Sequence, residues 1–233
     1  MRKTFLAITL FLAFSKAALA QFGNCTASEM RTYVDSATGN TITMLTDTMK
    51  NDRFLYQTDP MWTADGKYLL FRSSSRGNDK EVESTLPNGE KRKWTPTQIY
   101  FIEMATGKII QATEGPNLGS AFLANKTNRM FVSRKEKENW NMYVMDLNKF
   151  FADVKQGKVG KPSAYETFIG TFPTEMGRPG GYAVDCNDDY AYITVEREGT
   201  EEEKERMMKN AFLPESNQPV KICLLYTSPS PRD

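Results

Sequence analysis

DPMWTADGKYLLFRSSSRG, spanning Asp59–Gly77, reads as one hairpin. Trp62 precedes a turn at Ala64-Asp65-Gly66-Lys67, and the aromatic-rich strand Tyr68-Leu69-Leu70-Phe71-Arg72 follows. These make strands a and b of a meander. After a charged loop, Gln98-Ile99-Tyr100-Phe101-Ile102-Glu103 supplies strand c. A turn at Ala105-Thr106-Gly107-Lys108 then leads into strand d, Lys108–Thr113.

The same phrase returns twice in other words. Ala121–Ala124, a turn at Asn125–Asn128, Arg129–Arg134 and Trp140–Asp146 make a second copy. Gly181–Asp185, a turn at Asn187–Asp189 and Tyr190–Val195 open a third. The b strands start at Tyr68, Arg129 and Tyr190, evenly spaced along the chain. That spacing is wider than the roughly 40–45 residues of a WD-type blade, and loop insertions account for the excess. Repeated four-stranded meanders predict an all-β chain, a β-propeller of antiparallel blades. Ahead of the first copy, Arg31–Asp35, a turn at Ser36–Gly39 and Thr41–Asp47 form another hairpin. Its second half reads as a d strand without a blade, of the kind that closes a propeller ring by completing the last blade. Only about two and a half to three blades fit in the chain, whereas closed rings need roughly four to eight.

The 233 residues are 39% hydrophobic and 12% aromatic, enough for a packed core. With 30 Lys and Arg against 29 Asp and Glu, no bulk field favours nucleic acid. Arg2 and Lys3, the apolar run Phe5–Phe14 and Ala18-Leu19-Ala20 spell a signal peptide over residues 1–20, which predicts export to the periplasm or the medium. That run is too short for a membrane span, which takes about 20 residues. Three scattered cysteines exclude a disulfide framework and leave one Cys25–Cys186 bridge open.

Residues 21–221 are therefore assigned to the propeller. The last stretch, CLLYTSPSPRD after Ile222, departs from the repeat and resembles a translated sequencing adaptor. Residues 222–233 are set apart as a non-native tail, against the alternative of a Ser/Pro-rich disordered end.

NDRFLYQTDPMWTADGKYLLFRS, with TYVDSATGNTITMLTD before it and KIIQATEG after it, resembles the N-terminal part of exported oligogalacturonate lyases. These are seven-bladed propellers of pectin-degrading bacteria. The resemblance covers most of residues 28–221, about half of such an enzyme. It implies β-elimination of uronic-acid oligosaccharides, assisted by a manganese ion held by histidines and a glutamine, with a histidine and an arginine moving protons. This chain has no histidine, so none of those roles transfers to a position here. The catalytic residues are expected beyond Lys221, manganese belongs to the full-length parent and not to this chain, and the chain alone is expected to be inactive. The short hairpin motif by itself also suits a non-enzymatic Tol-associated periplasmic scaffold, or the propeller of a prolyl oligopeptidase-like serine peptidase.

Each b strand runs into arginine: Arg72 and Arg76, then Arg134, then Arg197. Because b-to-c and d-to-a loops share one propeller face, these arginines are candidates for binding the carboxylates of an oligouronide. The competing reading is solvated surface arginines paired with nearby glutamates. Trp94, in the long loop Ser73–Thr97, is a candidate for stacking on a sugar ring, or else packs that insertion against the blade. Glu201–Met208 reads as a short solvated helix. Gly177-Arg178-Pro179-Gly180-Gly181 lacks phosphate-binding spacing and reads as a turn.

Overall fold

The computed structural model describes residues 22–57, 59–77, 79–85, 89–172, 178–196 and 222–226 of the chain. The expected signal peptide at residues 1–20, Arg197 and Glu201–Met208 lie outside the described residues. In chain order the strands are β1 (Cys25–Thr26), β2 (Arg31–Val34), β3 (Thr41–Met44), β4 (Asp52–Arg53), β5 (Tyr68–Ser73), β6 (Val82–Thr85), β7 (Lys91–Trp94), β8 (Gln98–Glu103) and β9 (Ile109–Gln111). They continue with β10 (Leu118–Leu123), β11 (Arg129–Glu136) and β12 (Asn139–Asp146). Helix α1 (Leu147–Gln156) then precedes β13 (Glu166–Phe172), β14 (Arg178–Val184), β15 (Tyr190–Glu196) and β16 (Ile222–Tyr226).

The expected meanders form three antiparallel sheets, ordered β1-β9-β8-β5-β4, β10-β11-β12-β13 and β14-β15-β16. The opening strand of the first sheet differs from expectation. β4 pairs Asp52 with Ser73 and Arg53 with Arg72, while Trp62 contributes only an isolated bridge to Leu69. The chain leaves the sheet between these two contacts, so strand a is split. The turn into β5 keeps its expected place: Thr63 and Lys67 donate to Asp65 Oδ1, and Gly66 takes the left-handed conformation at φ 68°.

Three features go beyond the sequence reading. The loop Ser73–Thr97 contains a ribbon, β6 against β7, and the second sheet gains α1 and a fourth strand, β13. Asp146 caps the helix by accepting from the Lys149 N–H at 3.1 Å, and Gly157 ends it at φ 65°. Its apolar spacing, Leu147, Phe150, Phe151 and Val154, turns one face inward. Ile222–Tyr226, set apart from the repeats in the sequence, lies along β15 in the position that strand c takes in the first two sheets. Cys25 and Cys186 are exposed free thiols, so the bridge left open between them does not form.

The main core fills the gap between the first two sheets. Tyr68, Leu70, Ile99, Phe101 and Ile110 meet Met130, Val132 and Met145 there, under the α1 residues Leu147, Phe150 and Phe151. Phe151 stacks on Tyr68 with ring centroids 3.6 Å apart and meets Phe101 edge-on at 5.1 Å. Full burial of each such side chain contributes about 1.5–3 kcal/mol. Phe122, Phe131 and Met142 form a second core, with Tyr182, Val184 and Ala191 of the third sheet packed on it. The opposite face of the first sheet, Phe71, Tyr100, Ile102 and Ile109, is covered by Leu45 and Met104. The ribbon β2–β3 pairs only with itself among the described residues.

Candidate functional site

Contacts between turns fix how the sheets align. The Asp65 N–H, in the turn before β5, donates to Asn128 Oδ1 in the turn before β11, at 3.2 Å and 63 residues away. The next step repeats that interval: Asp188, before β15, accepts from the backbone N–H groups of Asn125, Lys126 and Thr127 at 2.6, 2.8 and 2.8 Å, and from the Thr127 hydroxyl at 2.8 Å. Successive N–H groups of a turn form a concave anion cradle, and the buried Asp188 carboxylate fills it. Adjacent turns start β5, β11 and β15 at one end, so the three strands run the same way. Their far ends, carrying Arg72 and Arg134 and leading towards residue 197, emerge on the same side.

Side-chain alternation places these arginines. Arg72 follows Tyr68 and Leu70 on the face turned to the second sheet, and Arg134 follows Met130 and Val132 on the face turned back. Both therefore sit at the mouth of the gap that the main core fills. Arg134 donates to Glu166, and the pair is mostly buried. Arg72 is exposed and has no carboxylate partner among the described residues. Directly across from it on β4 stands Arg53, also exposed, whose Nε donates to Asn51 Oδ1 at 3.2 Å. Sequence reasoning missed Arg53, because only the split of strand a reveals it as the cross-strand partner of Arg72.

Arg76 lies on the other face of the first sheet. Its guanidinium reaches Glu29 at 2.9 and 2.6 Å and Asp52 at 2.7 and 2.6 Å, and rests 5.3 Å from the Phe71 ring centroid. Burial opposes its charge, but the two carboxylates outweigh burial and raise its pKa. The Arg76 hydrogen bond in turn lowers the Glu29 pKa. The cluster fastens the segment before β2 and the strand β4 to the end of β5. Beside it, burial and the nearby Asp79 push the Tyr100 phenol up; its hydroxyl and Asp79 Oδ2 are buried without hydrogen-bond partners.

Trp94 ends β7, opposite Val82, and is 36% exposed. On the same ribbon Lys91 pairs with Glu83 at 2.7 Å. A depression of 360 Å³ lies at the opposite, turn end of the second sheet, against Thr127, Asn128, Arg129, Asp146 and Tyr165. It is remote from the arginine mouth.

No group of three or more His, Cys, Asp or Glu among the described residues is arranged to hold a metal ion. The Glu29 and Asp52 carboxylates are both engaged by Arg76, so these residues do not fit a manganese site. The described phenols with shifted pKa values, Tyr68, Tyr100, Tyr143 and Tyr165, are all raised, with burial the main cause. Such shifts move them away from acting as bases near neutral pH. No helix among the described residues is long and apolar enough to cross a membrane.

Neither a protein-family model nor a curated protein matches the chain. Solved structures do. An oligogalacturonate lyase in complex with manganese superposes with a TM-score of 0.53 at 18% identity, over 79% of this chain and 41% of that one. The oligogalacturonate lyase of Vibrio parahaemolyticus gives 0.52 at 20% identity, over 77% and 39%. The chain thus spans about two fifths of the length of the lyases whose fold it shares.

Proposed function

We propose that the chain is the N-terminal part of an exported β-propeller lyase that cleaves oligogalacturonate, or a related uronic-acid oligosaccharide, by β-elimination. The observation that carries this reading is the fold shared with oligogalacturonate lyases over more than three quarters of the chain, in sheets whose strands repeat at the interval set by the turns. On this reading the three sheets are successive blades of a seven-bladed ring, and β3 is the outer strand of the blade that closes it. On this reading residues 1–20 direct export and 21–221 belong to the propeller, while 222–233 are set apart by their sequence although Ile222–Tyr226 pair with β15.

The chemistry needs a cation to neutralise the uronate carboxylate and its developing enediolate, and a base to take the C5 proton. Manganese, if held by later blades of the complete protein, would supply that neutralisation. A chain without histidine leaves its ligands and the base to later blades. The residues described here contribute substrate contacts. Arg72 and Trp94 present open surface for an anionic sugar, Arg134 stands beside Arg72's cleft while paired with Glu166, and Arg197 follows the corresponding strand of the third sheet. Arg76 acts one step back, by holding Asp52 and thereby β4 in place.

The test is to express the complete reading frame from the source DNA and supply oligogalacturonate. Growth of the ultraviolet absorbance of the unsaturated uronide, abolished by chelation and restored by manganese, is the expected result. A complete protein that releases no unsaturated product from any uronide would overturn the reading.

A further inference from the structure

The pairing of β4 with β5 places two arginines, Arg53 and Arg72, directly opposite one another. Like charges in that relation destabilise a sheet. Elsewhere in the first sheet the chain neutralises a cation at such close quarters: Arg76, four residues on from Arg72, has two carboxylates. Arg53 and Arg72 have no carboxylate partner among the described residues, and both are exposed. Their face is the one turned to the second sheet, since Leu55, two residues after Arg53, packs on the core of that gap. The chain beyond Arg53 presents two large aromatic rings to solvent, Phe54 at 53% and Tyr56 at 67% exposure.

We propose that Arg53 and Arg72 together bind the carboxylate of one uronide unit. This assignment rests on the lyase reading for its ligand class. Two guanidinium groups offer paired N–H donors whose geometry matches a carboxylate. A bound carboxylate removes the repulsion that the empty pair carries.

The test uses the full chain, with trigalacturonate titrated in a calorimeter and a neutral galactose trisaccharide as control. Arg53→Ala and Arg72→Ala are each expected to weaken trigalacturonate binding roughly tenfold or more. Lys158→Ala, an exposed residue just after α1 whose Nζ donates to Gln156, leaves binding unchanged. Without ligand, neither Arg53→Ala nor Arg72→Ala lowers the melting temperature, because each relieves a like-charge contact; an arginine with a merely structural role would lower it. The proposal is overturned if trigalacturonate does not bind, if both variants bind it as the parent does, or if the neutral trisaccharide binds equally well. Displacement by inorganic phosphate at equal concentration would show a general anion site and would also overturn the uronide assignment. Binding that depends on both arginines, in a complete protein that forms no unsaturated product, would instead sink the lyase reading and leave the carboxylate site standing.

Discussion

The gap between the first two sheets and the ribbon β2–β3 are built from similar material with opposite fates. In the gap, Leu70, Phe101, Met130 and Val132 are completely buried. In the ribbon, Tyr33 pairs with Ile42 on one face, yet these residues are 50% and 38% exposed, and Val34 on the other face is 64% exposed. Both regions have apolar strands, so strand propensity does not separate them. What separates them is a neighbour: the first sheet has the second sheet and α1 against it, whereas among the described residues the ribbon is joined to the first sheet at its base, through Leu45 on the cluster of Phe71 and Tyr100 and through Glu29 to Arg76. On the propeller reading proposed above, that exposed face is where a closing blade would pack.

The largest effect expected from breaking this contrast is in the gap. Phe101→Ala removes a fully buried ring that meets Phe151 edge-on and should cost about 3–5 kcal/mol by urea unfolding. Next comes the seam between the second and third sheets: Asp188→Ala strips the acceptor from three backbone N–H groups and should cost about 1–3 kcal/mol, with Asp188→Asn less damaging.

Acid should separate the two regions at smaller amplitude. Glu29 has a folded pKa below its ordinary 4.5, so its contribution is complete above that value and is lost as pH falls through the lowered one. Asp65 behaves alike: burial would raise its pKa, but hydrogen bonds from Thr63, Lys67 and Asn128 hold it at about 2. Its contribution is complete above 3.8 and persists until pH approaches 2. Hydrogen exchange followed down to pH 2 should show Glu29→Gln loosening the segment before β2 already at neutral pH, while the turn at Asp65 stays protected. Loss of protection at the Asp65 turn in Glu29→Gln would mean that the two anchors are one cooperative unit. The smallest effect belongs to the ribbon face itself, where Tyr33→Ala and Ile42→Ala should each stay within about 0.5 kcal/mol.

Much of the frame was legible because it rests on local signals. Gln98–Glu103 is the strand read from the sequence, and the starts of β5, β11 and β15 are the residues expected from the repeat. Helix α1 is also legible in principle, as Asp146, the spacing Leu147-Phe150-Phe151-Val154 and Gly157 are all local, but it falls between two copies of the meander, whose strand pattern masks it. The ribbon β6–β7 was hidden by its polar composition, with lysine and arginine filling β7. The candidate site was less legible, because its chemistry depends on partners far along the chain. Nothing near Arg76 announces Glu29, 47 residues away, and nothing near Arg72 announces Arg53, whose opposition exists only once strand a is split.

The central claim is that this chain supplies the first sheets of a ring whose remaining members carry the chemistry. Sequencing the source DNA through and past the codon for Lys221 tests it most directly. The account predicts that the frame departs from the present tail and continues into further antiparallel repeats bearing histidines. An encoded Asp233 followed by a stop codon would contradict it.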